Sequence, residues 1–168
     1  RWTEAGGYRM LGFLSPGPTM ESWGSAVSAD GSVVAGTSGD TLNTALHAGF
    51  VWTEAGGMRP LGTINGAPPG RGYPRAVSGN GRYIVGQALG ASGLAQAFVW
   101  WEPGGMRPLP LLPGYTSSVA TGVSADGAVI VGDMTGPGVA TAFIWDRAKG
   151  MRDLRQVLVN LGGTGLTG

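Results

Sequence analysis

Four arginines recur in fixed register with four tryptophans. Arg9, Arg59, Arg107 and Arg152 each stand seven residues after Trp2, Trp52, Trp100 and Trp145. A guanidinium offers a planar fork of donors that grips carboxylate or sulfate groups in pairs. One such group per repeat, at one position of a closed array, would place a ring of positive charge around an axis, and that chemistry suits acidic groups on a glycan. The competing use is structural and is the stronger of the two: each arginine pairs with an acid such as Glu4, Glu54 or Glu102, or lies over the repeat tryptophan. Trp23 and Trp101 fall outside the tryptophan pattern, which suits exposed aromatics on which a ligand stacks. The candidate ligand-binding set is therefore Arg9, Arg59, Arg107, Arg152, Trp23 and Trp101.

Other reactive groups are few. His47 is the only histidine and there is no cysteine, so neither a multi-histidine nor a thiolate metal site can form. No serine sits in a Gly-x-Ser-x-Gly elbow. His47 is read as a partly buried residue at the start of a strand. Asp30, Asn80 and Asp126 each follow the pattern Ser-x-Asp/Asn-Gly. Calcium needs six to eight oxygens, and these loops offer one acid at most, so a side chain bonding its own backbone is the better account. No catalytic residue, metal or cofactor is expected.

The elements that would position these groups come from the repeat. The tryptophans are 50, 48 and 45 residues apart, and each opens a block of the type Trp52-Thr-Glu-Ala-Gly-Gly-Met-Arg-Pro-Leu61. A second block recurs as Ala26 to Gly36, Ala76 to Gly86 and Gly122 to Gly132. Both kinds put Gly-containing turns between short β-branched and aromatic runs, the grammar of a hairpin. One unit holds four strand candidates, at His47–Trp52, Met58–Ile64, Pro74–Ser78 and Arg82–Gln87. Asp153 to Leu161 comes nearest to helical spacing, but its counterparts in earlier copies read as strand.

Four antiparallel strands in about 45–50 residues is the signature of a propeller blade. The expected fold is all-β, a β-propeller-like array of about three and a half four-stranded blades, with a β solenoid as the alternative. One repeat domain covers 1–161, with units near 1–49, 50–97 and 98–142, a partial unit at 143–161, and a tail or linker at 162–168. Three and a half blades do not close a ring, so the β edges are either paired by something outside this chain or left open. A homodimer, or pairing with the rest of a longer chain, would close a seven-bladed ring.

Composition narrows the function classes. Eleven basic residues against ten acidic ones give a net charge of +1, which excludes a phosphate-tracking surface and makes nucleic acid a poor partner. No run reaches the ~18 apolar residues of a membrane span. Charged residues make up 12%, about half the usual share, as expected where sheets bury both faces.

The run His47-Ala48-Gly49-Phe50-Val51-Trp52-Thr53-Glu54-Ala55-Gly56-Gly57-Met58-Arg59-Pro60-Leu61-Gly62, with Ala76–Gly81 and Ile84–Gly86, resembles the HAF repeat family of bacterial proteins over residues 1 to 158. The name-giving His-Ala-Phe is interrupted by Gly49 and reads Gln96-Ala97-Phe98 and Thr141-Ala142-Phe143 in later copies. The resemblance implies an extracellular or cell-surface setting and supplies no catalytic set. The expected function is a non-enzymatic binding or scaffold module that contacts glycans or other proteins. The alternative is a lyase or hydrolase acting on polysaccharide in an axial cleft; paired, non-repeating acids would favour it, and the acids here mostly belong to the repeat.

Overall fold

In the computed structural model, one turn is made three times by the Ser-x-Asp/Asn-Gly blocks. The Asx oxygen accepts the N–H two residues on, from Ser32, Arg82 and Ala128, at 3.0 Å each time. It also accepts the serine hydroxyl, from Ser28, Ser78 and Ser124, at 2.6–2.7 Å. The same hydroxyl takes the N–H of Val33, Tyr83 or Val129 at 3.0 Å, which ties the end of the turn to its start. The motif is a turn, as its spacing indicated.

These bonds hold the Asp30 carboxyl down at about 2 against an ordinary 3.8, the Ser28 hydroxyl contributing most and Ser32 next. The Ser124 hydroxyl and then the Ala128 N–H lower Asp126 in the same direction. A depressed folded-state value stabilises fully above the unfolded value and is lost as pH falls through the folded one. Urea midpoints should therefore hold near neutrality and decline from about pH 4 towards pH 2. Asp30→Asn should flatten its share of that decline while keeping the turn, because Asn80 already makes the same bonds without charge.

Residues 1–64, 67 and 71–164 are described, the side chains of 44–46 excepted; most of the connector at 65–72 and the end of the tail lie outside that range. The strands are β1 (Trp2–Thr3), β2 (Gly7–Tyr8), β3 (Met20–Val27), β4 (Val33–Asp40), β5 (Asn43–Thr53), β6 (Gly57–Pro60), β7 (Gly72–Val77), β8 (Ile84–Leu89), β9 (Ala95–Trp101), β10 (Gly105–Pro108), β11 (Ser117–Val123), β12 (Val129–Gly136), β13 (Val139–Asp146) and β14 (Gly150–Asp153). They form a β1–β2 hairpin and three antiparallel four-stranded meanders, β3 to β6, β7 to β10 and β11 to β14. Each meander takes its first two strands from a Ser-x-Asx-Gly block and its last two from the tryptophan block after it.

The first strand of each later meander lies against the sheet before it, β7 on β3 to β5 and β11 on β7 to β9. Period-two alternation then buries both faces. From the second sheet, Ile84, Phe98 and Trp100 enter one core with Ala35, Val51 and Leu61 of the first. Their neighbours Val85, Ala97 and Val99 enter the next core with Ala120, Ile130 and Phe143 of the third. Trp100 and Trp145 pack at these junctions, and Trp52 packs with Val34 and Phe50 on the first sheet's other face, against Leu11 and Leu14. Among the described residues no further strand covers the third sheet's other face, α1 alone packing against β13 and β14, and Val131, the counterpart of the fully buried Val85, is 37% exposed. No helix among the described residues is long and apolar enough to cross a membrane.

One segment departs from the expected strand reading. Residues Leu154–Asn160 form a short helix, α1, with Asp153 as N-cap accepting the Gln156 N–H at 3.0 Å. An Asp cap before good helix formers prevailed over analogy with the earlier copies. The expected strand at Met58–Ile64 is also shorter, ending at Pro60, while β5 extends well before His47.

Candidate functional site

The four repeat arginines belong to the outer edges of the sheets. Arg59, Arg107 and Arg152 lie in the fourth strands β6, β10 and β14, and Arg9 follows β2. They are distributed one per sheet along the edge opposite the first strands, so the arrangement is a series of junction sites. Two of the arginines bridge to the next sheet: Arg9 to Glu54 and Arg59 to Glu102. Arg9 also lies over Trp52, 5.5 Å from the ring centroid, with Arg1 at 5.3 Å. Arg152 pairs with Asp146 of its own sheet.

Arg107 breaks the series. The tryptophan blocks read Trp52-Thr53-Glu54, Trp100-Trp101-Glu102 and Trp145-Asp146-Arg147, so the position that should hold its acid holds Arg147. Arg107 donates from Nε to the Gly104 carbonyl at 3.1 Å. Among the described residues neither Arg107 nor Arg147 forms an ion pair.

A cleft opens at each of these two junctions, built from equivalent positions. Between the first and second sheets it is lined by Val33, Val51, Thr53, Arg59, Trp100 and Glu102, with a volume of about 390 Å³. Between the second and third it is lined by Tyr83, Val99, Trp101, Arg107, Trp145 and Arg147, with a volume of about 600 Å³. Along the chain Val33 has become Tyr83, Thr53 has become Trp101, and Glu102 has become Arg147. Tyr83 and Trp101 border both clefts, with Trp100 in the first and Trp145 in the second; what sets the second apart is the loss of the bridging carboxylate, which leaves a larger apolar cleft with a few polar groups, the usual character of a small-ligand site.

The walls are held firmly. A Cβ on Gly104 would overlap the Trp101 indole and one on Gly127 would overlap the Tyr83 ring, so both aromatics lie flat on backbone that only glycine leaves open. Two carboxylates also line the cleft, and both are engaged: Asp126 within its turn, and Asp146 with Arg152 and with the N–H groups of Ala148 and Lys149.

Among the six candidates, Trp101 and Arg107 come together in this cleft. Arg9, Arg59 and Arg152 are paired elsewhere. Trp23, on β3, is 51% exposed and meets the edge of His47 at 5.4 Å. His47 itself is buried inside β5 rather than at a strand start, its Nε2 at 3.2 Å from the Glu21 carboxylate and 3.1 Å from the Asp40 carbonyl. Sequence reasoning missed Arg147, Tyr83 and Trp145 as parts of a site. The signal for Arg147 was its place in the third column of the aligned blocks.

No protein-family model and no curated protein matches the chain. Solved structures do. An Agrobacterium tumefaciens protein described as a TolB superposes with TM-score 0.55 at 13% identity over 82% of this chain and 50% of its own. TolB of Acinetobacter baumannii gives 0.54 at 16% identity over 80% of this chain and 32% of its own. The chain thus spans half or less of the proteins it resembles. At such identities the likeness concerns fold alone, and with the three stacked meanders it establishes this chain as an array of β-propeller blades.

Proposed function

We propose that this chain is a non-enzymatic binding or scaffold module of an exported repeat protein of the HAF type, working at the cell surface on glycans or other proteins. The observation that carries the reading is the interrupted ion-pair series. Where the repeat is intact, the arginine–glutamate bridge spends its charge on joining sheets; where it lapses, a cleft remains whose guanidinium groups form no ion pair among the described residues. Evolution of a site by altering one copy of a repeat leaves the neighbouring copies as scaffold. A glycan-array screen of the full chain tests this. Retention of a carbohydrate without cleavage supports it, whereas turnover of any polysaccharide would place the protein among enzymes.

The uncovered face of the third sheet supports a second contact, with a further blade of the same repeat. Its counterparts in the first two sheets are buried by the first strand of the next meander. A native mass above that of one chain, lost in Val131→Asp, is expected if a second copy provides it; a monomeric mass contradicts closure by dimerisation.

A further inference from the structure

We infer that the cleft between the second and third sheets binds a hexuronate unit, a pyranose ring bearing a carboxylate, within an acidic glycan. The inference rests on the binding-module reading and narrows it to a ligand class. Three features of the cleft bear on that choice.

The first is charge. Arg107 and Arg147 reach the cleft from opposite sides of the junction, β10 and the β13–β14 turn. At the equivalent place one junction earlier, Arg59 meets the carboxylate of Glu102. The protein's own geometry therefore shows what an arginine here takes, namely a carboxylate arriving from across the seam. At the later junction the chain withholds that carboxylate and supplies a second guanidinium, so the group that completes the arrangement must come from a ligand. Asp126 and Asp146 do not substitute for it: Asp126 Oδ1 is committed to its turn and Asp146 to its turn and to Arg152, and among the described residues neither forms an ion pair with Arg107 or Arg147.

The second feature is the shape and polarity of the walls. Trp101, Trp145, Tyr83, Val99 and Leu109 line the cleft beside the arginines. An inorganic anion would have no use for them. A pyranose has a C–H face that covers an indole and an edge of hydroxyls left to water, and a C5 carboxylate in its plane reaches a guanidinium beside the stacking ring. The third feature is size. A volume of about 600 Å³ falls within the range of pockets that hold small organic ligands, enough for one or two sugar rings.

The test uses the intact chain, with trigalacturonate as probe and galactotriose as its neutral counterpart, followed by calorimetric titration. Trigalacturonate should bind and galactotriose should bind at least tenfold more weakly. Arg147→Glu restores the acid found at the other junctions, so it should pair with Arg107, weaken trigalacturonate at least tenfold and leave the thermal midpoint equal or higher. Arg59→Ala should leave trigalacturonate affinity unchanged. Equal affinity for the two sugars, lost together in Trp101→Ala, would overturn the uronate assignment while keeping the binding module. Undiminished trigalacturonate binding by a folded Arg147→Glu protein would overturn the site itself. Absence of binding to either sugar would overturn the uronate assignment, and a blank glycan array beside it would remove the wider glycan reading as well.

Discussion

Gly86→Ala is expected to cost at least about 3 kcal/mol of stability, a large part of the 5–15 kcal/mol that holds a typical domain. The cause is a bulge repeated in every blade. The first strand slips register by one residue between Gly24 and Ala26, between Pro74 and Ala76, and between Ala120 and Gly122. The slip thrusts a carbonyl at the second strand, and the residue that receives it is Gly36, Gly86 or Gly132. A Cβ there would overlap the backbone oxygen of Trp23, Tyr73 or Val119 respectively. Backbone cannot swing away as a side chain can, and here it belongs to β7, the strand that packs the second sheet on the first. Relief of the clash would open a sheet junction as well as a bulge. Urea denaturation measures the loss; a midpoint within error of the parent would refute this account of the repeat's last glycine.

Phe98→Ala should cost about 3–5 kcal/mol, the range for emptying a buried aromatic site. Phe98 is fully buried in the core between the first and second sheets, as Phe143 is in the next core. Val131→Ala provides the comparison, because its side chain is on the uncovered face of the third sheet. It should cost well under the 2 kcal/mol or so of a buried aliphatic truncation. Val85→Ala, at the equivalent position of the second sheet and fully buried, should cost clearly more than Val131→Ala, and comparable losses for these two would mean that junction burial is not what stabilises the array.

The strands were legible because turn chemistry and alternation act locally. The Ser-x-Asx-Gly blocks announce their turn, and each of the fourteen strands among the described residues overlaps one of the two block types or its flank, although β3 starts at Met20, β5 at Asn43 and β11 at Ser117, in stretches that read as connectors. The count of about three and a half four-stranded units was legible for the same reason, but their phase was not: the expected unit of His47–Trp52, Met58–Ile64, Pro74–Ser78 and Arg82–Gln87 is split between two sheets, and the half unit is the β1–β2 hairpin at the start rather than 143–161. Helix α1 was hidden by analogy: Leu154 occupies the place of Leu11, Leu61 and Leu109, and this copy departs from the earlier three in its Asp153 cap and in Arg155, where they have Gly12, Gly62 and Pro110. The arginines were recognised as a set, but their positions within the sheets were not, since repeat spacing does not say which strand forms the outer edge. The site itself depended on a departure from the repeat. Arg107 is informative only when Arg147 is read against Glu54 and Glu102, and the pairing Arg59–Glu102 spans 43 residues, beyond any local pattern. His47 shows the same limit, for its partners Glu21 and Trp23 belong to β3 rather than to its own hairpin.

The central claim is that function resides at the one junction where the repeat's ion pair is missing. The six tryptophans allow a direct test, since each contributes one indole N–H resonance and they are distributed over the junctions. On titration with trigalacturonate, the Trp101 and Trp145 resonances should move together and saturate, while that of Trp52, buried on the first sheet's other face against Leu11 and Leu14, beside the intact Arg9–Glu54 pair, stays in place. Movement of Trp2 or Trp23 with Trp101 and Trp145 unchanged would contradict the account.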